Sequence, residues 1–262
     1  MTSIHDELTA AIQADEPVVL ATLISGEPRG ARLLIYEGGR RSGTLGHASL
    51  DEQIPEDALA MLPDGKTETR TYPLPDGSEA DVYIESYLPP RRLVIVGAVH
   101  TAIPLERIAR EDLGYETVVA DAREFFATRE RFPNAGELIV AWPDEALSEL
   151  TLGPQTDIVM LAHDPKFEDP AMAVALRSRA GYIGAMGSKK TSAERNLRLL
   201  AAGFTEEQVG RIHGPIGLDL GGRSPGEIAV SIIAEIIAVR HGRDPRRPGG
   251  DLLPAKADAG EA

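Results

Sequence analysis

The run from Leu93 to Ala102 constrains this chain more than any other segment: Leu93, Val94, Ile95 and Val96 lead into Gly97, then straight into Ala98, Val99, His100, Thr101 and Ala102. That order describes a short buried strand turning at a glycine into a helix. Such a turn offers backbone N–H groups and a helix N-terminus to an anion, usually a phosphate. The next apolar run, Val118 to Ala120, ends at Asp121, where a dinucleotide fold places the carboxylate that holds ribose hydroxyls. The second glycine of the G-x-G-x-x-G fingerprint is Val99, whose branched side chain is expected to obstruct a close pyrophosphate.

From Leu93 onward, apolar runs alternate with helical periodicity, the signature of a parallel sheet with crossovers on both faces. Strands are predicted at 93–96, 116–120, 137–140, 157–162 and 182–186, and helices near 101–113, 144–150, 168–178, 188–202 and 225–240. Ser224, Pro225 and Glu227 form a capping box with proline at the first helical position, and Gly242 ends that last helix. Before Leu93 the pattern differs. Short β-type runs at 18–24, 31–36, 41–45, 68–72 and 80–87, with a helix at 51–62, describe a small α+β domain. The expected fold class is therefore α/β, a Rossmann-like doubly wound parallel sheet over 91–242 preceded by the α+β domain over 1–88. Pro89 and Pro90 make the junction stiff, and 243–262, rich in Pro, Gly, Asp and Lys, is expected to be a disordered tail.

A net charge of −14 over 262 residues opposes nucleic acid and anionic membranes as partners. Zero cysteines exclude disulfides, thiolate metal sites and covalent sulfur chemistry carried by this chain. No apolar stretch is long enough to span a bilayer, and the start lacks the basic and apolar regions of a secretory signal, so a cytoplasmic location is expected. Scattered histidines specify no metal site, and no G-x-S-x-G elbow supports nucleophilic hydrolysis.

In a doubly wound sheet the ligand lies beyond the carboxyl ends of the strands, where the winding reverses. Three groups of residues are placed there. Gly97, Val99 and His100 follow the first strand, with Asp121 and Arg123 after the second. His163 and Asp164 follow the fourth; they read either as a capped turn or as a ligand or proton-transfer pair. Gly184, Gly187, Ser188 and Lys189 lead the fifth strand into a helix, so Lys189 and Lys190 are either a solvated helix start or a phosphate clamp. Asp121 itself either binds ribose or closes a turn with Arg123. The segment from His213 to Gly222, with Asp219 inside it, is a glycine-dense loop that serves as a connection or as a wall for a flat ligand.

These residues resemble the XdhC/CoxI family of accessory factors for molybdenum hydroxylases. The likeness is carried by Leu93 to Ala98, Ala127 to Pro133, His163 and Asp164, Tyr182 to Lys190, and His213 to Gly221, with a weaker match over Pro28 to Leu34 and Gly43 to Leu45. The resemblance implies a protein that binds molybdenum cofactor (molybdopterin), assists exchange of its oxo ligand for sulfur, and delivers it to a molybdenum hydroxylase apo-enzyme, with a cysteine desulfurase as a further partner. Gly97, Asp121, Gly187, Ser188 and Lys189 would hold the phosphate end, while His163, Asp164, His213 and Asp219 face the pterin or metal end. Where family members commonly carry a cysteine this chain has Ser49, a second cysteine turn is replaced by Asp76, Gly77 and Ser78, and a serine hydroxyl cannot form a persulfide. The alternative is an NAD(P)-dependent oxidoreductase in which His163 transfers protons near the nicotinamide. The apolar stretch from Ile228 to Val239 is read as a core helix compatible with a homodimer.

Overall fold

A computed structural model describes residues 3–162 and 164–243 of the chain. They divide into two compact units, Met1–Pro90 and Arg91–Ala262. The expected disordered tail lies outside the described residues apart from Arg243.

The first unit contains α1 (Ile4–Gln13), β1 (Val18–Ser25), β2 (Arg32–Tyr36), β3 (Arg41–Thr44), α2 (Ala48–Met61), β4 (Thr67–Pro73) and β5 (Glu79–Tyr87). Its five strands form one antiparallel sheet in the order β3-β2-β1-β5-β4. Strand alternation divides the apolar residues between two layers. Val19, Ala21 and Leu23 pack with Leu50, Ile54, Ala58 and Met61 of α2. Val18 and Leu20 face the other way, with Leu8 and Ala11 of α1. Helix α1 is an addition to the elements expected from sequence; its capping box of Ser3 and Asp6 lies at the start of the chain.

The second unit follows with β6 (Arg92–Val96), α3 (Ala102–Arg107), β7 (Glu116–Ala120), β8 (Glu137–Ile139), α4 (Pro143–Ser148), β9 (Thr156–Met160), α5 (Pro165–Arg177), β10 (Tyr182–Ala185), α6 (Lys189–Ala201), α7 (Glu206–Gly210), β11 (Ile212–His213) and α8 (Pro225–Arg240). Six parallel strands run in the order β11-β10-β9-β6-β7-β8. Renumbered from β6, that is 3-2-1-4-5-6 read from β8, the dinucleotide-fold order with its reversal between β6 and β9. Leu93 and Ile95 point to the layer that includes α3 and α8, whereas Val94 and Val96 point to the layer of α5 and α6. Both faces of the sheet are thus covered, and the α/β doubly wound class holds. The sixth strand, only Ile212 and His213, falls where the sequence suggests loop; two residues carry no detectable period. The helix expected over 101–113 is α-helical only to Arg107 and continues as a π-type turn over Ile108–Asp112.

Candidate functional site

Because all six strands are parallel, the loops after β6, β7, β9, β10 and β11 meet at one edge of the sheet. Two of the cavities among the described residues open there. The smaller, about 280 Å³, straddles the reversal point and is lined by Gly97, Val99, Asp121, Arg123, Asp164 and Phe167 among others. The larger, about 840 Å³, lies beyond β10 and β11, against α8; its wall includes Gly187, Lys189, Gly214, Gly217, Asp219 and Glu235. The predicted residues are therefore shared between two hollows instead of meeting in one.

Hydrogen bonding around the first glycine turn departs from expectation. Gly97 N–H donates to the Ala120 carbonyl at 2.8 Å, and Val99 N–H to the Gly97 carbonyl at 2.9 Å. Ala98 N–H donates to Asp121 Oδ2 at 2.8 Å. The amides of Gly97, Ala98 and Val99 are all committed within the chain. Asp121 is equally occupied: Oδ1 accepts from the Arg123 backbone N–H and Nε, both at 2.9 Å, and Oδ2 also accepts from Arg123 Nη2 at 2.8 Å. A carboxylate has about four acceptor positions, and all are filled. Burial pushes the Asp121 carboxyl up, but Arg123 and the two backbone donors outweigh it and hold it below the usual carboxylate range. The turn-closing ion pair considered for Asp121 is thus present. Gly97 is required here on two counts, since its φ is +104° and a Cβ would stand 2.9 Å from the Ala162 nitrogen.

The other residues fall as follows. Asp164 lines the smaller cavity and caps α5 by accepting from Lys166 N–H at 3.0 Å. His163 lies outside the described residues. His100 is exposed and lines neither cavity. Gly184 is buried, and a Cβ on it would stand 2.5 Å from Ile216 Cδ1 and 2.6 Å from the Tyr182 ring; it makes room for packing. Ser188 caps α6 by accepting from Thr191 N–H at 3.1 Å, with Gly187 and Lys189 beside it on the wall of the larger cavity. Asp219 is an exposed part of that wall. In the first unit Ser49 sits in the opening turn of α2 with its hydroxyl buried and unpartnered, and Ser78 donates to Asp76 at 2.6 Å.

Two groups are absent from the sequence-based site. Glu235 is 2% exposed at the base of the larger cavity. Its Oε2 accepts from the Tyr182 hydroxyl at 2.5 Å and from Gly217 N–H at 2.8 Å. His213 Nδ1 stands 3.7 Å from Oε1, outside hydrogen-bond range, and its ring stacks on Tyr182 with centroids 4.7 Å apart. Burial raises the Glu235 carboxyl, yet His213, Tyr182 and Gly217 together keep it below its ordinary range, so the cavity base is anionic. The signal for it in sequence is a single acid inside the otherwise apolar stretch of α8. The second group is the buried pair of Arg195 and Glu168, joined at 2.8 Å. Helical spacing places Ser192, Arg195 and Leu199 on one buried stripe; that spacing is the available clue.

A family model described as the XdhC Rossmann domain matches residues 93–236, and one described as the XdhC and CoxI family matches residues 11–73. The chain is 32% identical over 182 residues to a probable xanthine dehydrogenase subunit of Bacillus subtilis strain 168, covering 69% of this chain and 53% of that protein. It is 30% identical over 95 residues to the molybdenum cofactor insertion chaperone PaoD of Escherichia coli K12, covering 36% of this chain and 30% of PaoD. The uncharacterized protein YqeB of the same strain is 25% identical over 252 residues, covering 90% of this chain and 45% of YqeB. The chain thus spans about half, or less, of the length of these curated relatives. A solved structure described as a xanthine dehydrogenase from Bacillus halodurans has a TM-score of 0.52 and 23% identity, covering 91% of this chain and 96% of that one; the likeness there is one of fold. With more than half of its length matched by the Rossmann-domain model, the chain belongs to the XdhC family.

Proposed function

We propose that this chain is a maturation accessory that holds molybdenum cofactor as cargo and passes it to the apo form of a molybdenum hydroxylase of the xanthine dehydrogenase type. The observation that carries this reading is the match of both units to XdhC family models, in company with relatives named for xanthine dehydrogenase and for cofactor insertion. The larger cavity suits such a cargo: it has a cationic helix start at its rim and hydrogen-bonded polar groups at its base. The whole chain contains no thiol. Any sulfur placed on the cofactor therefore comes from another protein, such as a cysteine desulfurase, while this chain protects and delivers.

The dinucleotide reading is supported by the strand order. Against it stand the committed amides of Gly97, Ala98 and Val99 and the filled carboxylate of Asp121. Purification from cells with intact cofactor biosynthesis tests the proposal. Molybdenum by elemental analysis together with fluorescent oxidised pterin is the expected result. Protein carrying NAD(H) and neither of these would overturn it.

A further inference from the structure

We propose that Glu235 is the recognition group of the larger cavity, and that it takes a planar nitrogen heterocycle which points an exocyclic amino group at Oε1. Naming that ring a pterin rests on the cofactor reading; the call for a donor rests on the geometry alone.

A carboxylate offers about four acceptor positions, two on each oxygen. On Glu235 those of Oε2 are filled, by the Tyr182 hydroxyl at 2.5 Å and Gly217 N–H at 2.8 Å. Oε1 has no donor within hydrogen-bond range among the described residues, since His213 Nδ1 at 3.7 Å falls short. Of these two unpartnered atoms His213 Nδ1 is sealed from solvent and Oε1 is not, and the cavity that Glu235 lines is its outlet.

The rest of the side chain is fixed in place. Gly184 lacks the Cβ that would stand 2.6 Å from the Tyr182 hydroxyl, and Gly217, at φ +90°, lacks one that would stand 2.5 Å from Ser231 Oγ. Both donors therefore reach Oε2 and set the plane of the carboxylate, with Oε1 turned to the hollow. Glu235 is 2% exposed and stays anionic despite its burial. A buried carboxylate oxygen without a donor is costly, so an arriving N–H gains more here than at the surface.

The walls suit a flat guest. Gly214, Gly221 and Gly222 line the cavity without side chains, and Met186 and Ile216 add apolar surface. An anion would meet Oε1 as a like charge, and a ring edge made only of acceptors would leave it unpaired. An amino group meets it with a donor.

Pterin and lumazine test this, because lumazine carries an oxo group where pterin carries its amino group. In calorimetric titrations of the full chain, at a pH where both rings are neutral, pterin should bind at least about tenfold tighter. In the isotopically labelled chain the Gly217 amide signal should shift with it. Glu235→Gln reverses the polarity of the open position: the amide oxygen keeps Tyr182 and Gly217, and the NH2 group replaces Oε1. That variant should favour lumazine. Equal affinity of the wild-type chain for the two rings, no pterin binding below about 1 mM, shifts centred on Gly97 and Asp121, or a Glu235→Gln variant that keeps the preference for pterin would each overturn the assignment. The wild-type comparison decides the matter if the variant does not fold. Wild-type amounts of molybdenum cofactor on Glu235→Gln, with no ring preference in either chain, would overturn the assignment and leave the cofactor reading. A preference for pterin centred on Gly217, in a chain that purifies without molybdenum or pterin, would leave the assignment and remove that reading.

Discussion

Replacing Asp121 by alanine should destabilise the second unit far more than replacing its partner Arg123. In Asp121→Ala the Ala98 N–H, bonded at 2.8 Å in a buried setting, loses a charged acceptor, a change that costs about 1.5–3 kcal/mol. The ion pair adds little: Arg123 is 56% exposed, and such pairs contribute about 0–1 kcal/mol. Together the loss is roughly 2–4 kcal/mol. In Arg123→Ala water replaces the exposed guanidinium while both backbone donors stay on the carboxylate, so about 1 kcal/mol or less is expected. The only tryptophan, Trp142, stacks on Phe167 within the second unit, so its emission in urea reports this unit. With a slope near 2 kcal/mol per molar, Asp121→Ala should lower the urea midpoint by roughly 1–2 M and Arg123→Ala by under about 0.5 M. Equal, small shifts in both variants would refute the claim that Asp121 is built into the turn. The lowered Asp121 pKa fixes the sign with acidity: its contribution is present above the unfolded carboxyl value and is lost as pH falls through the folded one.

Further outcomes follow from other buried groups. Asp157, at the opposite edge of the sheet, is pushed up to about 6 by burial despite Arg91; stability should fall as pH rises from about 4 to about 6, by on the order of 3 kcal/mol, and Asp157→Asn should flatten that slope in pH-dependent urea melts. Arg195→Met alone leaves Glu168 buried and unpaired and should cost about 3–5 kcal/mol, whereas the double change Arg195→Met with Glu168→Met should recover most of it in the same melts. Gly184→Ala forces a methyl against Ile216 and the Tyr182 ring and should cost about 1–3 kcal/mol, read by thermal unfolding.

Most of the architecture is legible from period and punctuation. Strands such as Leu93–Val96 are buried on both faces and appear as unbroken apolar runs, and α8 has a complete capping box. What stays hidden depends on contacts distant in sequence. The pairing of β11 with β10 rests on two residues. The occupation of the Gly97 turn arises because Asp121 reaches across from β7 to Ala98, a contact equally consistent in sequence with a free ribose ligand. The division into two cavities follows from where the loop after β11 lies against α8, and Glu235 gains importance only through the convergence of Tyr182 and Gly217 on it.

Delivery of cofactor to a client is the proposed role. Its most direct test is to load the purified chain with molybdenum cofactor, mix it with a cofactor-free xanthine dehydrogenase type enzyme, and follow the appearance of hydroxylase activity against the same amount of free cofactor. Faster or fuller activation by the loaded chain is the predicted result. A chain that takes up no cofactor, or activation no better than free cofactor provides, would contradict it.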